Sequence, residues 1–338
     1  MDLSLPTTNR DPIPADAESF LAAAGWGGAE IVPLVADASF RRYFRVTGAK
    51  GNAMLMDAPP PHEDPAQFLR AARWLDENGM RPPRILADDA ARGLVLLEDF
   101  GEIRMREYLD QWPADESEIY RAAVDALVRL HKLPPGPFTA YGLSEYQRET
   151  RLLVEWWAPA QGLSVDAAGY DAAWQAVLAP MLPRQRPGVT VLRDYHAENL
   201  MLLSGLADQG LLDFQDALVG HAAYDLVSLL QDARRDVPKS LEADMIAHYR
   251  AATGAGEDFV ADYARLGAQR NAKIVGIFVR LWKRDGKPRY LAMIPRVWEA
   301  LERDLLHPAL APMAAWFDAN VPSEFRDPAG VLGGVFAA

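Results

Sequence analysis

The sequence contains no cysteine, which excludes disulfides, thiolate metal sites and a cysteine nucleophile. A zinc site would have to draw on six scattered histidines. Also lacking is any apolar run of about 18 residues, the length that spans a bilayer. The segment from Met1 to Asp16 is polar and contains proline, with no basic start ahead of an apolar stretch. No membrane partner is expected, and the absence of cysteine fits a cytoplasmic protein. Positive charge is in deficit: 35 Lys and Arg against 47 Asp and Glu leave a formal net charge of −12. Neutralising a nucleic-acid backbone needs a basic face, so no nucleic-acid partner is expected, whereas a nucleotide needs only a local cationic pocket. The glycine-rich stretches are incomplete as motifs. Gly25-Trp-Gly27-Gly28 is no dinucleotide fingerprint, neither Gly48–Gly51 nor Gly286–Pro288 completes a Walker A loop, and a Gly-x-Ser-x-Gly elbow is absent.

What is present is a chain of 338 residues, half of them apolar, enough for two cores that share an interface. The first hundred residues read as a small mixed unit. Strands are expected at Ile31–Val35, Arg41–Val46, Asn52–Met56, Arg84–Ala87 and Leu94–Glu98, and a helix opens at Asp64-Pro65 and stops at Asn78-Gly79. After Gly101 the pattern turns helical, as in Ile119, Ala123, Leu127 and Leu130 on one stripe. Val189 to Phe214 interrupts this with two expected short strands around a loop, and helices resume at Ala222.

The interruption carries the chemistry. Asp194 and Asn199 lie five positions apart between apolar stretches, and Asp213 follows the apolar pair Leu211-Leu212. Phosphoryl transfer asks little covalent chemistry of a protein. It requires a carboxylate to orient and deprotonate the hydroxyl, and oxygen ligands for magnesium. On this reading Asp194 is the base, and Asn199 and Asp213 hold the metal.

This ordered set, with Gly220-His-Ala-Ala-Tyr-Asp225-Leu behind it, resembles the corresponding region of the aminoglycoside phosphotransferase and choline kinase superfamily. Asp37–Arg45, Met56–Pro60, Asp213–Ala217 and Gly276–Leu281 further resemble the bacterial AmgK-type anomeric amino-sugar kinases, from about Asp16 to about Leu306. The resemblance implies an α+β, two-lobed, protein-kinase-like fold: a β-rich N-lobe over residues 1–101 and a mainly helical C-lobe over 102–338. It implies ATP and Mg2+ as cofactors, and a small-molecule sugar, N-acetylmuramate or N-acetylglucosamine, as substrate. The loop Asp37–Arg41 is then expected to cover the ATP phosphates, with Ser39, Phe40, Arg41 and Arg42 as nucleotide contacts, and the hinge Leu96–Gly101 to bind adenine through its backbone at Glu98, Asp99 and Phe100. Two departures stand out: Asn52–Met56 lacks the lysine that kinases carry on the third strand, and Leu192 stands where many relatives have histidine.

Candidates for the acceptor are Arg193 and His196 in the loop, Glu149 as a partner for sugar hydroxyls, and, through the resemblance, Gln215 and Asp216. Arg270 and Lys273 join them on a charge contrast: Arg270 to Arg289 holds seven basic residues and one acid in an acidic protein. The apolar stripe Ile274, Ile277, Phe278 and Leu281 turns these cations toward the helix edges and outer face. Asp225 is expected to tie down loop amides, and the charge of His131 to complement a helix C-terminus. Trp157 and its neighbour Trp156 cannot share one helix face, and core packing is the expectation for them.

Overall fold

The computed structural model describes residues 12–34 and 41–327; Ser39 and Phe40 lie outside the described residues. The chain divides into two compact units, one comprising the residues up to Ile103 with Gly210–Asp216, the other Arg104–Gln209 and the residues from Ala217 on. The expected linear division at Gly101 does not register this return of Gly210–Asp216 to the first unit.

The first unit is built on an antiparallel sheet of five strands: β1 (Glu30–Pro33), β2 (Arg42–Gly48), β3 (Gly51–Asp57), β4 (Ile85–Asp89) and β5 (Leu94–Glu98), in the order β1-β2-β3-β5-β4. Alternation explains the register: Phe44 and Val46 of β2 and Ala53 and Leu55 of β3 point to one buried face. Phe20 and Leu21 of a short helix, Ala17–Ala23, which the sequence reading did not identify, close that core together with Trp26 just beyond the helix. The helix Pro65–Glu77 begins where expected. The Asp64 side chain accepts from the Ala66 amide at 2.8 Å, proline takes the first turn, and Gly79 at φ +73° ends the segment.

The second unit is helical around a 28-residue helix, Asp258–Asp285, which is flanked by the helices Leu143–Leu152, Ala223–Leu230 and Ile294–Leu305. Close approach to the first of these depends on Gly276, where a Cβ would lie 2.3 Å from the Leu152 carbonyl carbon. Directly after Leu152 the helix widens into a π turn, Leu153–Trp157, the local device by which a helix re-aims its side chains. Trp157 is thereby buried against Trp298 at 4.5 Å between ring centres, in the core as expected. No described helix is long and apolar enough to cross a membrane.

Val189 to Phe214 contains three short strands in place of the two expected, and a fourth follows before the helices resume. They are β6 (Val189–Val191), β7 (Leu200–Leu202), β8 (Gln209–Leu211) and β9 (Leu218–Gly220), with β6 paired to β9 and β7 to β8. Three-residue strands are too short to show alternation, which is why the sequence pattern merged them.

Candidate active site

In the second unit, the turn after β6 places Asp194. Arg193 adopts φ +72°, a conformation that costs a non-glycine residue and persists only where its surroundings fix it. The fixing group is Asp225, buried on the helix Ala223–Leu230, whose carboxylate accepts from the amides of Leu192 at 2.6 Å and Arg193 at 2.8 Å. This is the tie expected of Asp225. Burial pushes its carboxyl up to about 7, against the pull of those two amide bonds. The rest of the loop is pinned by the Tyr195 hydroxyl on the Ala123 carbonyl at 2.8 Å. The Asn199 amide nitrogen donates to the Asp194 carbonyl at 2.9 Å, which orients the amide oxygen, the atom that can ligate a metal.

Cations of the central helix surround Asp194. The Arg270 guanidinium lies 3.9 Å from its carboxylate, and Arg270 itself is only 3 % exposed. The expectation that Arg270 lies toward an edge or the outer face is therefore corrected. The helix is buried well beyond the stripe read from sequence, with Ala268, Ala272, Val275 and Val279 also inside. The Asp194 side chain remains 45 % exposed. Desolvation raises its pKa, but Lys273, Arg270 and Arg193 outweigh this and hold the carboxyl below its usual value, so it is ionised at neutral pH and able to take a proton from a hydroxyl.

Glu149 is 4 % exposed. Its carboxylate pairs with Lys273 at 3.2 Å and with Arg193, and the Tyr141 hydroxyl donates to it. Burial pushes its pKa up and these cations pull it below the usual range. Glu149 thus serves to hold two cations next to Asp194, in place of the open contact to sugar hydroxyls read from the sequence. Lys273 also donates to the Tyr224 hydroxyl at 3.3 Å. His196 is 3 % exposed, with its ring beside Arg234 at 3.2 Å and Asn199 at 3.5 Å, and burial drops its pKa to about 4. It is a neutral internal tie of the loop and is not open to an acceptor. His131 shares this fate: burial lowers its pKa to about 3 and its ring bonds the Tyr249 hydroxyl at 2.7 Å. The charge expected to complement the helix end is therefore absent.

In the first unit, Asp213 sits at φ +57° and is solvent-exposed. The next residue, Phe214, is buried and stacks on Phe68 at 5.1 Å, and the Leu211 amide donates to the Arg81 carbonyl at 2.8 Å. Gly210 allows this approach, because a Cβ there would meet the Phe100 ring at 2.5 Å. Gln215 donates to the Asp213 carboxylate at 2.6 Å, and Asp216 is exposed.

The two arginines expected at the phosphates point to different partners. Arg42 binds Asp57 through Nε at 2.9 Å and lies over Phe44. Arg41 pairs with Glu63 at 3.4 Å. Tyr43, one position from the strand end and on the Arg41 side, has its pKa raised by burial with Arg41, Asp213 and Glu63 as the charges around it. Arg41 therefore shares the surroundings of Asp213. At the hinge, Glu98 accepts from Arg81 at 2.7 and 2.8 Å and from Arg84 at 3.2 Å, which lowers its pKa to about 2. Asp99 pairs with Arg45 at 2.9 Å and caps the Gly101 amide at 2.8 Å. Arg81 covers the Phe100 ring at 4.8 Å.

As to a metal, no group of three or more His, Asp or Glu side chains among the described residues is arranged to hold one. Asn199 and Asp213 each carry a side-chain oxygen of the kind magnesium binds, an ion that takes one or two protein oxygens and fills its remaining positions from phosphates and water.

Residues 30–266 match the sequence profile described as the "Phosphotransferase enzyme family". A curated N-acetylmuramate/N-acetylglucosamine kinase of Caulobacter vibrioides is 37% identical over 91% of this chain and 96% of its own length. The protein of the same name from Pseudomonas aeruginosa is 40% identical over 83% and 86%. Among solved structures, a choline/ethanolamine kinase family protein from Mesorhizobium loti superposes with a TM-score of 0.61 at 16% identity, covering 90% of this chain and 99% of that one. At such identity the likeness speaks for the fold alone, a two-lobed kinase-like α+β fold.

Proposed function

This chain belongs to the phosphotransferase enzyme family, and on that premise we propose that it transfers the γ-phosphate of ATP to the anomeric hydroxyl of an amino sugar in the cytoplasm, as a step in cell-wall recycling. It is an amino-sugar kinase, and its acceptor is N-acetylmuramate or N-acetylglucosamine. The observation that carries the reading is the Asp194 loop: a carboxylate kept ionised by Arg270, Lys273 and Arg193, on a turn that Asp225 fixes.

Asp194 accepts the proton of the sugar hydroxyl as its oxygen attacks the terminal phosphorus, and it orients that hydroxyl beforehand. The bond from phosphorus to the bridging oxygen of ADP breaks as the new one forms, and ADP leaves. Asn199 and Asp213 are the residues that would hold magnesium, each offering a side-chain oxygen. When bound, the ion neutralises charge on the phosphates. Arg41, on the Asp213 side of its strand, takes the place of the missing third-strand lysine, with Glu63 as its carboxylate partner. The backbone of Glu98–Phe100 binds adenine. Arg193 and Lys273, held by Glu149, face the acceptor, and Gln215 and Asp216 flank it.

The test is ADP release across a panel of sugars with magnesium. Turnover is expected with N-acetylmuramate and N-acetylglucosamine, and not with their 1-O-methyl glycosides, which lack the anomeric hydroxyl. Equal turnover of the methyl glycosides would place transfer at another hydroxyl.

A further inference from the structure

A polar cavity of about 860 Å³ opens on the helical unit between the helices Leu143–Leu152, Ala167–Leu178 and Asp258–Asp285. Its lining includes Arg148, Arg151, Arg280, Gln147, Glu155 and Asp171. Arg151 is engaged by Asp171 through Nε at 3.0 Å, so this pair is internally neutral. Arg280 is different. It is partly buried, and its Nε is shut off from solvent with no hydrogen-bond partner among the described residues. Burial and the neighbouring Arg284 lower its pKa, with Asp285 pulling the other way. Arg148 lies exposed on the rim.

This cavity is separate from the reaction centre. Arg280 stands ten residues beyond Arg270 on one helix, about 15 Å along its axis. Glu149, which holds the cations beside Asp194, is buried, whereas Arg148 and Arg151 are exposed on the other side of the same helix. Two guanidinium groups without carboxylate partners suit a phosphate, which they can grip with paired N–H donors. The side-chain oxygen of Gln147, whose nitrogen donates to the Asp171 carbonyl at 2.9 Å, and the carboxylate of Glu155 suit hydroxyl groups, and Glu155 would repel a bare anion. That mixture selects a ligand that is charged at one end and hydroxylated at the other.

We propose that this cavity is a non-catalytic binding site for a phosphorylated sugar, with Arg148 and Arg280 on its phosphate and Gln147 and Glu155 on its hydroxyl groups. The proposal concerns binding, and the controls of its test rest on the proposed activity.

Calorimetric titration of the full chain tests it, with saturating N-acetylglucosamine and magnesium-ADP present to occupy the reaction centre. The probes are N-acetylglucosamine 1-phosphate, N-acetylglucosamine 6-phosphate and inorganic phosphate, with a non-hydrolysable ATP analogue in place of ADP for the first so that no reverse transfer occurs, and the first two separate a reaction product from another sugar phosphate as the source. Sugar phosphate is expected to bind, Arg280→Gln and Arg148→Gln each to weaken it about ten-fold or more, and Arg280→Lys to keep part of the affinity. Turnover and acceptor KM should stay within about two-fold of the parent. Should Arg280→Gln lower the melting temperature, the exposed Arg148→Gln carries the comparison. Unchanged binding in both variants overturns the proposal. So does a parallel rise of acceptor KM, which would make the cavity part of the acceptor site, and so does inorganic phosphate binding as tightly as the sugars.

Discussion

Arg270 lies 3.9 Å from Asp194, with the arginine buried at 3 % exposure and the aspartate side chain 45 % exposed. The cation is thus fixed and the carboxylate is accessible, the arrangement a base needs if it is to be ionised and to reach a substrate. Asp194→Asn keeps the shape and loses the proton acceptor. Turnover should fall about 100- to 10,000-fold while ATP affinity stays within a few-fold. ADP release and nucleotide titration measure the two, and activity within a few-fold of the parent would remove Asp194 from the base role.

Arg41 and Arg42 separate the nucleotide role from a structural one. Arg41→Ala should raise the ATP KM about ten-fold or more, because its guanidinium lies with Glu63 and Tyr43 on the Asp213 side. Arg42→Ala should leave the ATP KM nearly unchanged and lower the melting temperature, since its partner Asp57 is almost fully buried. Equal small effects on KM would show that neither replaces the strand lysine.

Lys273 tests acceptor choice. N-acetylmuramate carries a lactyl carboxylate that N-acetylglucosamine lacks. A charge-assisted bond to such a group contributes about 1.5 to 3 kcal/mol, or roughly ten- to hundred-fold. Lys273→Ala should cut kcat/KM for the muramate by that factor more than for the glucosamine, which loses only what the weaker hold on Asp194 costs. An equal loss for both would assign Lys273 to the charges of Asp194 and Glu149 and not to the acceptor.

The parts of this fold legible in the sequence are those with local signals. Asp64-Pro65 and Gly79 marked a helix because capping is local, and the spacing of Asp194, Asn199 and Asp213 singled out the loop. Burial of Arg270, His131 and His196 was not legible, since a polar residue in a helix or loop reads as exposed until the packing around it is known. The π turn after Leu152 escaped for the same reason. Its cue, Gly276, sits more than a hundred residues away and meets it only in three dimensions. Glu149 was singled out, but its role depended on Lys273 and Arg193, whose approach no spacing rule encodes.

Gly276 gives a direct test of that crossing. A methyl group there would lie 2.3 Å from the Leu152 carbonyl carbon and 2.4 Å from its oxygen, and backbone cannot rotate away as a side chain can. Gly276→Ala should destabilise the protein by about 1 to 3 kcal/mol, the usual range for overpacking, although alanine is the better helix former. Denaturant unfolding measures this. A neutral or stabilised variant would show that the two helices separate easily.

Asp262 ties the central helix to the segment before β6, and its effect should depend on pH in a defined direction. It is 1 % exposed, accepts from Arg184 at 2.6 and 2.7 Å and from Arg265 at 2.8 Å, and lies 3.2 Å from His221. Burial raises its pKa, and Arg184 and His221 pull it down further, to about 2. An ordinary aspartate titrates near 3.9 (about that value in an unfolded chain). The folded value is the lower one, so the unfolded chain binds the proton more readily between the two. The stabilisation is complete above about pH 4 and drains away as pH falls toward 2. Two pKa units correspond to about 2 to 3 kcal/mol. Asp262→Asn removes this dependence and leaves Arg184 facing a neutral group, at a cost near neutrality of about 3 to 5 kcal/mol, as for other broken buried pairs. Unfolding free energies of parent and variant, measured from pH 7 to 3, should therefore differ most at neutral pH and converge on the acid side. A constant gap across that range would mean that Asp262 contributes by packing and not by its charge.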